Sequence, residues 1–148
     1  MANASSLQML VDLAEHRSRK VARNLGQLIT RGEQGEVKLQ LLRNYLREYR
    51  VRLDDAVREG LDGERLRNYL SFIARLERAI AEQAAEVAAT QARIDKEKEH
   101  WRKQERERRT FEALLDRRRI EGQRLEARSQ QKQFDEIATR TAMRSSTR

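Results

Sequence analysis

The chain has no cysteine and no proline in 148 residues, only six glycines, and aromatics at 5%. Without cysteine there is no disulfide, no thiol nucleophile and no thiolate-bound metal. Without proline and with little glycine, a sandwich, a barrel or a turn-rich enzyme is a poor fit. Apolar runs are only a few residues long, so no segment is expected to span a bilayer. The N-terminus shows no basic stretch followed by an apolar one, so no secretory signal is expected. What is abundant is charge, at 38%, together with Ala, Leu, Gln, Glu, Lys and Arg, the composition of long helices.

The 32 basic and 24 acidic residues give a net charge of +8. Residues 96–148 carry 16 basic and 10 acidic side chains, so +6 of the total lies there. A basic bias suits an acidic partner: an acidic protein surface, nucleic acid or an anionic membrane. Carboxylates interrupt the basic residues, as in Lys103-Gln104-Glu105-Arg106-Glu107-Arg108-Arg109. A surface that tracks phosphates has cleaner basic runs, and a solvated helix with a mild excess of charge explains the pattern equally.

Apolar residues recur at alternating spacings of four and three. The first series is Leu7, Val11, Ala14, Ser18, Val21, Leu25, Leu28, Gly32, Gly35, Leu39, Leu42, Leu46, Tyr49, Leu53, Ala56. Such a series is a heptad seam held in phase over about seven heptads. The phase breaks at Gly60-Leu61-Asp62-Gly63, the strongest turn signal in the chain. Gly60 suits a left-handed cap that ends one helix, and Asp62 suits the cap that starts the next. A second series follows: Leu66, Tyr69, Ile73, Leu76, Ile80, Gln83, Val87, Thr90, Ile94, Glu97, Trp101, Gln104, Arg108, Phe111, Leu115.

The expected fold is therefore all-α: an antiparallel two-helix coiled-coil hairpin with the second helix longer. A single coiled-coil domain over 1–148 is expected, with one helix at about 5–58, the turn at about 59–64, the second helix at about 65–140 and a frayed basic C-terminus. At 1.5 Å per residue the helices would be about 80 Å and about 110 Å long. Folding at about residue 61 brings together positions whose numbers sum to about 122. Leu53 then meets Tyr69, Leu46 meets Leu76, and Leu7 lies beside Leu115. The last 25 or so residues have no partner in the chain. Gly32 and Gly35 fall on the seam opposite Ala84, Ala85, Ala88 and Ala89, which suits either close helix approach through small residues or a loosened joint.

Heptad labels place Leu39 and Leu46 at a, Leu42 and Tyr49 at d, and Tyr45 at g. On the second helix Leu66 and Ile73 are a, Tyr69 and Leu76 are d, and Phe72 and Ala79 are g. In an antiparallel pair the g positions of both helices line one flank. Charged residues usually occupy g, so Tyr45, Phe72 and Ala79 form an apolar stripe bordered by Tyr49 and Leu76. It reads either as a partner-binding patch or as rings folded over a widened seam.

Catalytic patterns are missing. His16 and His100 have no companions at metal-ligand spacing, and no phosphate-binding glycine loop or nucleophile elbow occurs. Carboxylates on an open helical surface have nothing to exclude water or tune their acidity. Trp101 falls on the seam among charged neighbours. The chain is expected to be no enzyme and to need no cofactor or metal.

The segments Leu10-Val11-Asp12-Leu13-Ala14-Glu15, Glu48-Tyr49-Arg50, Asn68-Tyr69-x-x-Phe72-Ile73 and Leu76-Glu77-Arg78-Ala79-Ile80, with Trp101-Arg102 and Ala142-Met143-Arg144, resemble the flagellar FliJ family across nearly the whole chain. The resemblance implies a coiled coil similar to the central stalk of rotary ATPases, belonging to the type III flagellar export apparatus. It implies that the end carrying the termini enters a hexameric flagellar export ATPase and promotes ring assembly. It also implies contact with the cytoplasmic part of the membrane export gate, through Leu42, Tyr45, Tyr49, Phe72, Leu76, Ala79 and Gln83. Export chaperones are further candidate partners. The only membrane contact expected is through the gate, at the cytoplasmic face of the inner membrane, and no direct nucleic-acid contact is expected. Charge density singles out Arg117, Arg118, Arg119, Arg124 and Arg128 for the ATPase ring. The alternatives are the equivalent stalk of a virulence secretion system, a basic coiled-coil adaptor for nucleic acid or anionic membrane, and a homodimer joined through its C-terminal helices.

Overall fold

A computed structural model describes residues 4–147. Residues 1–3 and 148, which belong to the expected domain, lie outside the described residues. The chain is all-α, with α1 at Ala4–Glu59 and α2 at Gly63–Ser146, and no strand occurs among the described residues. The helices hold 56 and 84 residues. α2 runs to Ser146, past the boundary near 140 expected from the fading apolar pattern. Its last turns are rich in hydroxyls that bond back along the helix. Thr139, Thr141 and Ser145 donate to the carbonyls of Asp135, Ile137 and Ala142.

Residues 60–62 link the helices, and each terminus is satisfied locally. Gly60 takes φ +97°, a left-handed conformation that costs a side-chain-bearing residue about 1–2 kcal/mol. Its N–H donates to the Val57 carbonyl at 3.3 Å. The Asp62 carboxylate accepts from the Arg65 N–H at 2.8 Å, and the Asp62 carbonyl accepts from the Leu66 N–H at 3.0 Å. Asp62 is thus the N-cap of α2. Glu64 in the first turn of α2 and Arg58 in the last turn of α1 suit the two helix dipoles.

The chain divides into two compact units. The first is Lys20–Trp101 and the second joins Met1–Arg19 to Arg102–Arg148. The first, here the turn unit, buries Val21, Leu39, Ile73, Leu76, Thr90 and Ile94. Its other seam positions are half-buried, except Trp101, which is 37% exposed because an indole is too large to be covered by one layer of a two-helix seam. No large side chain among the described residues is below 2% exposed, as expected where two helices share one line of contact.

The glycines in this unit sit at a close approach. A Cβ on Gly32 would lie 3.2 Å from Ile94 Cδ1 and 3.6 Å from Thr90 Cγ2. One on Gly35 would lie 3.4 Å from Gln83 Nε2 and 3.5 Å from Val87 Cγ2. The glycines therefore meet seam residues of α2 and not the alanine run. Ala85, Ala88 and Ala89 point to solvent, since the heptad places Gln83, Val87 and Thr90 on the contact line. The close approach puts the Gly35 carbonyl within reach of Gln83 Nε2, which donates to it at 3.1 Å.

The second unit, here the terminal unit, has a smaller apolar core of Leu7, Val11 and Leu115, with Phe111 packed against it. Ala14 and Ser18 are also buried. From residue 121 to 147 every side chain of α2 is exposed.

Candidate docking surfaces

At the turn unit, the heptad seam brings rings from both helices together. Tyr49, a d residue of α1, packs on Phe72 of α2 with centroids 4.3 Å apart and an angle of 35° between the ring planes. Tyr69 approaches the same Tyr49 ring at 6.5 Å and 60°. The Arg52 guanidinium lies 5.2 Å above the Tyr49 centroid from the side of the turn, a cation–π contact. Phe72 remains 38% exposed and Tyr45 51%.

The seven residues expected at the gate surface separate by burial. Tyr45 and Phe72 face solvent. Leu42, Tyr49, Ala79 and Gln83 are half-buried, and Leu76 belongs to the buried seam. The Gln83 amide is engaged inside the pair by the Gly35 carbonyl. Phe72 leans on the seam through Tyr49, yet both g-position aromatics keep much of their surface open.

In the terminal unit, the five candidate arginines take different positions. Arg119 donates to Gln8 Oε1 at 3.2 Å, so it is turned toward α1. Arg118 is half-buried. Arg117, Arg124 and Arg128 are exposed, and their spacing of seven and four puts them on one ridge of the helix.

Two polar groupings went unrecognised in the sequence. One is a charged layer in the terminal unit. Arg108, at a seam position, donates from Nε to Glu105 Oε1 at 3.1 Å, from Nη2 to Glu105 Oε2 at 2.8 Å and from Nη1 to Glu112 Oε1 at 2.6 Å. The buried Ser18 hydroxyl donates to Glu105 Oε1. The hydrogen bonds from Arg108, then that from Ser18, hold the Glu105 carboxyl down at about 2, and the two carboxylates push Arg108 further up. Part of its signal was available, because Ser18 and Arg108 are both polar residues within the two apolar series. The other grouping surrounds the ring cluster. Arg52, Arg65 and Asn68 join Tyr49, Tyr69 and Phe72 around an opening of about 360 Å³. Arg52 and Arg65 occupy g positions near the turn, which the heptad labels foretell.

A wider opening, about 620 Å³, lies elsewhere in the turn unit. It is a groove lined by Asn24, Gln27, Leu28, Arg31, Arg93, Lys96 and Glu97. Its Arg31 is already paired with Glu86 at 3.6 Å. His100 lies 3.8 Å from Glu97, and no group of three acids or histidines among the described residues is placed to hold a metal ion. No helix among the described residues is long and apolar enough to cross a membrane. The chemistry on offer is recognition: rings, guanidinium groups and an amide on a helical surface.

These features define an all-α coiled-coil protein of two packed helices, with rings and guanidinium groups left exposed on its surface. The comparison with known proteins then gives its family. The family described as "Flagellar FliJ protein" matches residues 3–147, and the chain belongs to that family, a component of the flagellar type III protein export apparatus that serves motility. The flagellar FliJ proteins of Salmonella typhi and of Escherichia coli strain K12 are each 33% identical to it over 144 residues, covering 97% of this chain and 98% of each relative. No solved structure gives a significant match.

Proposed function

We propose that the chain is a nonenzymatic stalk of the flagellar export apparatus. It inserts into the hexameric export ATPase, promotes assembly of that ring and couples it to the cytoplasmic part of the membrane export gate. The observation that carries this reading is the exposed aromatic pair, Tyr45 and Phe72, with Phe72 seated on Tyr49. Exposed aromatics are enriched in the anchoring residues of protein interfaces. In this reading, Tyr45, Tyr49 and Phe72 touch the gate, with Leu42, Ala79 and Gln83 beside them, and the buried Leu76 supports them from below.

The ridge of Arg117, Arg124 and Arg128 meets acidic groups of the ATPase ring, with Arg118 and Arg119 at its α1-facing side. Exposed ion pairs are individually worth about 0–1 kcal/mol, so contacts of this kind hold the helix and still let it move. The chain works at the cytoplasmic face of the inner membrane, held there by the gate, and export chaperones are additional partners.

Adding the chain to its cognate export ATPase is expected to raise ATP hydrolysis and the hexamer fraction. A folded chain that changes neither rejects the stalk reading. The double change Tyr45→Ala and Phe72→Ala is expected to weaken capture of the gate's cytoplasmic domain at least tenfold with helicity unchanged, as anchor residues commonly do.

A further inference from the structure

We infer that the ring cluster beside the turn is a receptor for an acidic peptide segment, one that presents a carboxylate next to an aromatic side chain. The inference rests on the proposed docking role of this flank and goes further by naming the chemistry and four residues outside the gate set: Arg52, Arg65, Asn68 and Tyr69. The opening of about 360 Å³ is lined by three rings, two guanidinium groups and one amide, with no carboxylate in its wall. Among the described residues, neither the Arg52 nor the Arg65 guanidinium has an acidic partner. The Arg52 guanidinium carbon lies over the Tyr49 ring, 5.2 Å from its centroid, so the ring holds the cation at the rim of the opening. A guanidinium positioned by a ring can grip a carboxylate with two parallel hydrogen bonds.

The other charged surfaces contrast with this one. Arg31 is paired with Glu86 and Arg50 with Glu77. Arg108 is saturated by Glu105 and Glu112. The large groove around Arg31, Arg93 and Lys96 carries Glu97 in its own wall. At the turn, two guanidinium groups with no acidic partner among the described residues line an opening shared with three rings. Phe72 is 38% exposed and already stacks with Tyr49 at 4.3 Å, so a third ring can extend the stack in the offset or edge-on geometry aromatic groups prefer. Charge complementarity selects an acidic occupant, and the exposed ring selects an aromatic one beside it.

The test uses the full chain and a fluorescein-labelled eight-residue probe, glycine and serine except for a central Asp-Phe pair. Two control probes carry Asn-Phe and Asp-Ala. Fluorescence anisotropy is expected to show saturable binding of the Asp-Phe probe, with each control about tenfold weaker or more, the scale of one charge-assisted hydrogen-bonded contact. The double variant Arg52→Gln and Arg65→Gln is expected to bind the Asp-Phe and Asn-Phe probes equally weakly. Arg52→Lys is expected to lose several-fold, since an ammonium cannot make the paired contact. Circular dichroism verifies that each variant keeps the helicity of the parent.

No saturable binding of the Asp-Phe probe, or equal binding of all three probes, overturns the inference. So does a folded double arginine variant that binds like the parent. Capture of the gate's cytoplasmic domain is measured in parallel. If the parent captures that domain and the probes fail, the acidic-aromatic chemistry is wrong and the docking role stands. If the probes discriminate as expected and the gate domain is not captured, the pocket chemistry stands and the gate is the wrong partner.

Discussion

The two compact units hold their helices together by different means. In the turn unit, contact is made by aliphatic side chains, a tyrosine–phenylalanine stack and two glycines that let a side-chain amide reach a backbone carbonyl. Its cross-helix ion pairs, Arg31–Glu86 and Arg50–Glu77, have both partners more than half exposed and contribute little. In the terminal unit, the apolar core is three buried residues and a phenylalanine. A charged layer of Arg108, Glu105 and Glu112, tied to Ser18 across the pair, lies next to that core. A seam of aliphatic residues repeating every heptad tolerates a slip by one heptad. A seam arginine with fixed partners does not, because a slip strands a half-buried charge. The turn unit gains its strength from apolar area. The terminal unit gives up area and gains a register mark.

The strongest way to break this comparison is to remove apolar contact from each unit in turn. Leu115 is 6% exposed in the terminal unit and Ile73 is 8% exposed in the turn unit. Leu115→Ala and Ile73→Ala are each expected to cost about 2–5 kcal/mol, the range for a large buried aliphatic side chain. Hydrogen exchange is expected to show residues 7–18 losing protection in Leu115→Ala while residues 69–94 keep theirs. Ile73→Ala is expected to deprotect residues around 46–53 and 69–80. Equal loss across both units in either variant shows that they do not differ as described.

A smaller effect is expected from the charged layer. Glu105→Gln leaves Arg108 half-buried with Glu112 as its remaining carboxylate, and is expected to lower the urea midpoint by an amount equivalent to about 1–3 kcal/mol. The pH dependence carries the same signature. Glu105 is held at about 2 in the folded chain, below its ordinary value of 4.5. Its contribution is therefore present above about 4.5 and is lost as pH falls through about 2. Terminal-unit protection is expected to fall over that window, and Glu105→Gln is expected to flatten the dependence. A parent and variant with parallel pH curves show that the layer adds no stability.

How far the sequence reached follows from the same contrast. The helix partition, the cap roles of Gly60 and Asp62 and the contact line are legible, because each depends on local spacing. The contact line even survives its polar members. Ser18 and Thr90 are buried and Gln83 is half-buried on the seam as the heptad places them. What spacing could not supply is the choice of partner. Three carboxylates lie within four positions of Arg108 along α2, at Glu105, Glu107 and Glu112. Rotamer and packing decide that Glu105 and Glu112 hold it. Likewise, the aromatic g positions were legible as a stripe. The capture of Arg52 by the Tyr49 ring, and the opening it shares with Arg65 and Asn68, depend on side-chain directions that periodicity does not encode.

The smallest expected effect sharpens the account of the close approach in the turn unit. Gly26 and Gly32 are both helical, both in α1 and both in that unit, and they differ in what surrounds them. A Cβ on Gly26 meets nothing within 4 Å. Gly26→Ala therefore gains the full helix preference of alanine, about 0.8–1 kcal/mol, and is expected to raise the melting temperature. Gly32→Ala gains the same preference but places its methyl 3.2 Å from Ile94 Cδ1. That atom is the far end of a flexible side chain, so the isoleucine gives way and part of the gain is lost. The expected change is close to zero. If Gly32→Ala stabilises as much as Gly26→Ala, the glycine is not needed for the approach of the helices. If it destabilises by more than about 1 kcal/mol, the Ile94 layer is as rigid as a globular core, and the turn unit is packed more tightly than its half-buried seam implies.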